Sequence, residues 1–264
     1  MKREKLSIII IGVILLAGLV VATVTLTAGQ EADANAVEAA NQLYVAGHYA
    51  EAAQIYEEQI ALGAQDSALY YNLGNAYFQQ GDLGRAVLNL ERAAQLNPRD
   101  TDIQANLELV RGQTTELFAA EETAPGPVSL LADATSWMTQ NEAAVLVLGL
   151  WFLFIFLLVV RRAAESERAR RSLQTAAAIV LVLLLISGIS LASRSFVAQS
   201  RPAGVVVSPS VAVSSGPGAE FVTGFTVGAG TAVQVAEQQG EWLRLAAPDG
   251  AEASWVPLDA VELT

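Results

Sequence analysis

Three long uncharged runs punctuate the chain. From Leu6 to Gln30 no charge occurs, and "LSIIIIGVILLAGLVV" follows the basic opening "MKREK"; a second run, "AAVLVLGLWFLFIFLLVV", fills 143–160, and a third covers 172–193. Helices of about 18 to 25 residues, rising 1.5 Å each, match a hydrocarbon core of about 30 Å, whereas a core helix of that length keeps a polar face. The expectation is two membrane helices at 143–160 and 172–193, preceded by a first segment, 1–30, that is either an anchor or a cleaved signal peptide. Its apolar stretch is long for a signal, yet "ADA" at 32–34 is a cleavage-type site. Between and after these runs the period changes, to helical spacing in 31–118 and to strand alternation from Gly204 onward.

The helical segment repeats itself. A shift of 34 residues lays Gly47 on Gly81, Ala52 on Ala86, Tyr56 on Leu90 and Glu57 on Glu91, which is the period of the helix-turn-helix tetratricopeptide repeat. Two units are expected, about 33–66 and 67–100, with a capping helix at 101–118. In the second unit the small and large signature positions are held by Tyr70, Leu73, Gly74, Tyr77, Ala86, Leu90, Ala93 and Pro98. Gly74 and Ala86 let two antiparallel helices approach, Tyr77 and Leu90 fill the space between them, "QQGD" turns the chain, and "NPRD" ends the second helix. Such units bury their apolar faces by stacking, and about three are needed for stability. So short an array is expected to form a homo-oligomer or to dock on a partner.

The same spacing places Asn41 and Tyr44 of the first inner helix level with Asn75 and Phe78 of the second, with Tyr71 and Asn72 beside them. Amide side chains offer a donor and an acceptor to a peptide backbone, and aromatic rings supply apolar contact, so these six residues are the candidate peptide-binding face. Residues of this type also support the fold. Arrays that clamp a terminal carboxylate carry Lys or Arg beside such Asn residues; none stands here, which disfavours an acidic-tail ligand.

Residues 119–141 shift to a Pro-Gly linker followed by a short amphipathic stretch ending near Trp137, expected at a headgroup interface. From 203 to 264, short alternating strands separated by Gly, Pro and Asp turns predict a small β-barrel. Trp242 and Trp255 are its candidate groove residues, with core packing the expected role of at least one.

Charge fixes an orientation. Eight of the fifteen basic residues lie in "MKREK" and "RRAAESERARR" (161–171), and basic flanks stay cytoplasmic. The repeats and the C-terminal domain then both lie outside the cytoplasm. The segment 31–142, with seventeen acids against four Arg, carries a net −13. The whole chain, 264 residues with 53% hydrophobic and 16% charged, has net charge −12, which disfavours nucleic acid as a partner. Without cysteine and with the single His48 in a turn, thiol chemistry and cysteine-rich or multi-histidine metal sites are excluded. Asp100, Asp102 and Glu108 read as a solvated helix face. No catalytic residue, cofactor or metal is expected.

The tail is similar to bacterial SH3-like domains in "SGPG", "GTAVQV", "GEWLRL" and "WVPLDAVEL", although Ser254 stands where that family has Gly and "DGAEAS" is a residue longer. Taken in order, the leader or anchor, the repeats "YYNLGNAYFQQGDLGRAVLNLERAAQLNPRDTDIQANLE", two spans and this tail resemble the E-type proteins of the Bat (aerotolerance) operon. That resemblance implies a multidomain membrane protein combining an all-α tetratricopeptide array, transmembrane helices and an all-β SH3-like barrel. It also implies a non-enzymatic scaffold working with von Willebrand-type Bat proteins and a MoxR-type ATPase in envelope integrity or oxidative-stress tolerance. A peptidoglycan-binding sensor is the alternative.

Overall fold

The structure, a computed structural model, describes residues 32–114, 137–200, 202–218, 220–221, 223–246 and 254–264. The first apolar run, most of the linker and the end of the expected capping helix (115–118) lie outside the described residues. The chain forms two compact units, one holding 126–195 and the other holding both 30–125 and 196–264.

Five helices open the second unit: α1 (Ala34–Val45), α2 (Tyr49–Ala61), α3 (Ser67–Gln80), α4 (Leu83–Leu96) and α5 (Thr101–Arg111). Part of the acidic composition has a local cause. Asp33, Asp66, Asp82 and Asp100 are the N-caps of α1, α3, α4 and α5, each accepting from a backbone N–H of the first turn. There a carboxylate satisfies otherwise orphaned donors and meets the positive end of the helix dipole. Gly47 and Gly81 reverse the chain between paired helices at φ +85° and +79°, a region that L side chains rarely adopt. Gly74 sets the spacing inside the second repeat, because a Cβ there would lie 2.9 Å from the Leu90 Cγ. Ala40, Ala52, Ala86 and Leu90 are fully buried in the core of the repeats, with Tyr56 and Leu73 nearly so.

Arg111 of α5 closes the stack by reaching back to Glu91 of α4, Nη2 to Oε1 2.7 Å, over a carboxylate whose side chain is only 13% exposed. Burial raises the Glu91 pKa, and the hydrogen bond and charge of Arg111 offset part of that rise. A folded-state pKa above the unfolded one means that Glu91 favours folding most below pH 4.5 and that this contribution is lost as pH climbs through the raised value. Glu91→Gln is therefore expected to leave stability at pH 7 unchanged or higher and to flatten this part of its pH dependence. Arg111→Gln, which strands a buried charge, should destabilise at pH 7 far more than at pH 4. Thermal melts of both variants at the two pH values check the sign.

The C-terminal segment is one seven-stranded antiparallel sheet with strand order β3-β2-β6-β5-β4-β1-β7. Its strands are β1 (Ala203–Val206), β2 (Ser210–Ser214), β3 (Thr223–Gly228), β4 (Ala232–Gln239), β5 (Trp242–Leu245), β6 (Ser254–Pro257) and β7 (Val261–Leu263). All of them feed a single valine-rich core that includes Val206, Val211, Val227, Val235, Leu243, Val256 and Val261. The sheet therefore curls over one face. Among the described residues it does not close, since β3 and β7 are its two edges.

This sheet packs on the repeats through β1 and α4. Val205 is fully buried and belongs to the core of the repeats, with Val207 against it. A Cβ at Gly84 would meet the Val206 carbonyl oxygen and the Val207 Cα, each at 2.7 Å. Arg92 of α4 donates to the Leu263 carbonyl at 2.7 Å and faces the Glu262 carboxylate at 3.9 Å. The outer helix of the second repeat is thus covered within the chain itself.

The other unit holds α6 (Gln140–Ala163) and α7 (Glu167–Ser200) as far as Ser195, both long and apolar enough to cross a membrane; the span in α7 is Glu167–Arg194. A capping box, Thr139 with Glu142, starts α6 directly after Trp137, which is 56% exposed. The Arg-rich segment between the two spans, 161–171, is mostly helical. Arg161 and Arg162 end α6, Arg168, Arg170 and Arg171 begin α7, and only Ala164–Ser166 breaks the helix. Arg is a good helix former, and nothing in "RRAAESERARR" stops a helix as Gly or Pro would.

Candidate functional site

The concave side of the repeats is built by α1, α3 and α5, whose sequences place chemically similar residues at matching turns. A groove of about 550 Å³ runs across them. Asn41, Tyr44, Tyr71, Asn72, Asn75 and Phe78, the six residues singled out by spacing, all line it. Val45, Tyr56, Gln79, Asn106, Leu109 and Val110 complete the wall.

The asparagines join successive inner helices. Asn72 Nδ2 donates to Asn41 Oδ1 at 3.2 Å, and Asn106 Nδ2 donates to Asn75 Oδ1 at 2.8 Å; both pairs span 31 residues. Tyr56 also donates its hydroxyl to Asn41 Oδ1 at 2.6 Å, and Asn106 Nδ2 reaches the Tyr71 hydroxyl at 3.0 Å. These bonds orient the amides. Asn41 and Asn75, whose oxygens are engaged, keep their Nδ2 donors, while Asn72 and Asn106 keep their Oδ1 acceptors. The groove therefore alternates donors and acceptors, as a peptide backbone does. The bonds that join the helices are thus the same ones that leave these donors and acceptors facing the groove.

The floor carries no cation. Burial pushes the Tyr56 pKa up to about 12 and raises that of Tyr44, the latter partly offset by a hydrogen bond with Gln79, so both hydroxyls stay protonated. Val45 and Leu109 stand at either side with 86% and 54% of their surface exposed. An uncharged, amide-studded floor with apolar shoulders fits an extended backbone carrying apolar side chains.

The sequence model of the tetratricopeptide repeat family matches residues 67–100. That repeat is a protein-interaction module, and the match covers α3, α4 and the turn that leads to α5. Compared with the curated proteins, the chain has no match.

Asn106 and Leu109, left out of the expected face, were within reach of the same signal. They stand 34 residues beyond Asn72 and Asn75, so extending the period into α5 finds them. Tyr56 is different, because it belongs to an outer helix and reaches the groove only by crossing behind Asn41.

In the sheet, Leu243 pairs with Val256 on the core face, so Trp242, Arg244 and Trp255 share the opposite one. Trp255 is 6% exposed, opposite Arg244 on one side and Ser214 on the other. Trp242 is half-buried opposite Pro257. Trp255 is thus a packing residue, and Trp242 is the more open of the two. His48 bonds Glu51 at 3.0 Å in an exposed turn.

Proposed function

We propose that the chain is a non-enzymatic membrane scaffold that holds partner proteins in its repeat groove outside the cytoplasm, in a Bat-type complex. The observation that carries this reading is the groove itself, with its Asn pairs, apolar shoulders and uncharged floor.

The anchoring rests on α6 and α7. A core helix of a soluble protein is mostly buried, but the most apolar windows here are 0% and 17% buried, leaving Trp151, Phe156, Val182 and Ile186 for lipid. A common side for repeats and sheet is supported by the packing of β1 on α4. A chain crossing the membrane twice between them can make that contact; a single crossing cannot. The basic cluster at the turn of this hairpin favours the cytoplasm for it. Retention of the first segment as an anchor is favoured by Asp33, which caps α1 and whose N–H bonds Gln59 at 2.9 Å. Cleavage after Ala34 would remove both contacts.

The sheet fits an opened version of the SH3-like barrel, one core fed by all its strands. A wall-binding role would use Trp242 on its outer face.

Pull-down of the intact protein from detergent tests the scaffold. Wild type should recover a reproducible set of membrane proteins, and Asn75→Ala/Phe78→Ala should lose about ten-fold or more of that recovery with its helical circular dichroism retained. Equal recovery by the variant would sink the groove as the binding site. Co-sedimentation of the intact protein with purified wall, lost in Trp242→Ala, would favour the sensor instead.

A further inference from the structure

The inner helices present one stripe each toward the groove, and the stripes are in register every 34 residues. On α3 it is wholly uncharged, from Ala68 through Asn72 and Asn75 to Gln79. On α1 the position matching Asn72 is Glu38, and on α5 the position matching Ala68 is Asp102. Both are exposed. The groove lining is therefore neutral, with no Lys or Arg on it, and an exposed carboxylate stands about one turn outside that lining on each flanking helix, Glu38 on α1 and Asp102 on α5. Glu38 spends one oxygen on Gln42 Nε2 at 3.1 Å and keeps the other for a ligand.

We propose that the groove takes an extended peptide segment of a partner protein with an uncharged, apolar-containing centre and basic residues flanking it. This rests on the scaffold reading and specifies the chemistry of the partner. The neutral centre satisfies its backbone against the Asn donors and acceptors, its apolar side chains lie against Val45 and Leu109, and its Lys or Arg flanks meet Glu38 and Asp102. The surrounding segment, at net −13, steers a cationic partner in and repels an acidic one. The selection is opposite in sign to that of a carboxylate clamp.

A phage-displayed random dodecapeptide library, selected against the full chain in lipid nanodiscs, tests this. Enriched peptides should show an uncharged core flanked by Lys or Arg, and binding of a selected peptide should vanish in Asn75→Ala. Glu38→Gln and Asp102→Asn, both at exposed positions, should each weaken it about two- to fivefold. Enrichment of neutral or acidic peptides that still require Asn75 would overturn the charge selection and leave the groove reading standing. No enrichment over the Asn75→Ala protein would overturn both. Basic peptides that bind that variant equally would reduce the effect to nonspecific attraction and also overturn the proposal.

Discussion

Gly84→Val will prise the C-terminal sheet off the repeats. The added side chain has to enter the space held by the Val206 carbonyl oxygen and the Val207 Cα, each 2.7 Å from the new Cβ. Both are backbone atoms of the chain leaving β1, so no rotamer change relieves the clash. Overpacking of this kind costs about 1–3 kcal/mol where some adjustment is available. Here the cheapest adjustment is to lose the interface, because Val205 and Val207 are held against α4 while the core of the sheet is built elsewhere. In the intact protein in detergent, amide exchange at 205–207 should accelerate, and limited proteolysis should release a C-terminal fragment that wild type retains. The repeats should still melt cooperatively. Exchange and proteolysis indistinguishable from wild type would mean that the β1–α4 contact contributes little.

Leu90→Ala should be the most destabilising single change within the repeats. Leu90 is fully buried between the two helices of the second unit, its Cγ in the place that a Cβ on Gly74 would need. Truncating a buried Leu to Ala loses its transfer free energy and leaves a cavity, together about 2–5 kcal/mol. In an array of two units and a capping helix, few neighbours remain to share that loss. The geometry also predicts a coupling. Gly74→Ala alone is overpacked against Leu90, whereas in the Leu90→Ala background that clash is gone, only the Ala86 carbonyl oxygen at 3.2 Å still crowds the new methyl, and helix propensity improves by up to about 1 kcal/mol. The double variant should therefore lose less than the sum of the two single losses, by urea denaturation of the intact protein. Simple additivity of the two losses would show that Gly74 is not there to admit Leu90.

The covering of α4 was latent in its sequence. A repeat needs Ala86, Leu90 and Ala93 facing its partner helix, yet Ala86 to Leu90 are all buried, as is Gly84. Five consecutive buried residues cover every side of a helix, so no single partner surface can bury them. The surplus of Val87 and Leu88 signalled a second neighbour without saying what it was. A third repeat, a second copy and the chain's own tail all satisfy the same pattern. The expectation of an oligomer or docked partner rests instead on the shortness of the array, and β1 covers part of the surface that so short an array leaves.

What the sequence alone determined is whatever depends on spacing along one element or between two adjacent ones. The 34-residue period, the apolar runs and the inner-helix positions of Asn41 and Asn75 are of this kind, because helix pitch fixes which residues share a face. What only the tertiary structure decided depends on chain segments far apart. The donation from Arg92 to the Leu263 carbonyl joins residues 171 positions apart. No local period encodes that contact, since it follows from two surfaces meeting rather than from one chain repeating. The same holds for the orientation of the groove amides, which is set by bonds between helices, such as those of Tyr56 and Asn72 to Asn41 and of Asn106 to Asn75, and for the sheet, whose edges stay open among the described residues although its strands alternate as those of a closed barrel would.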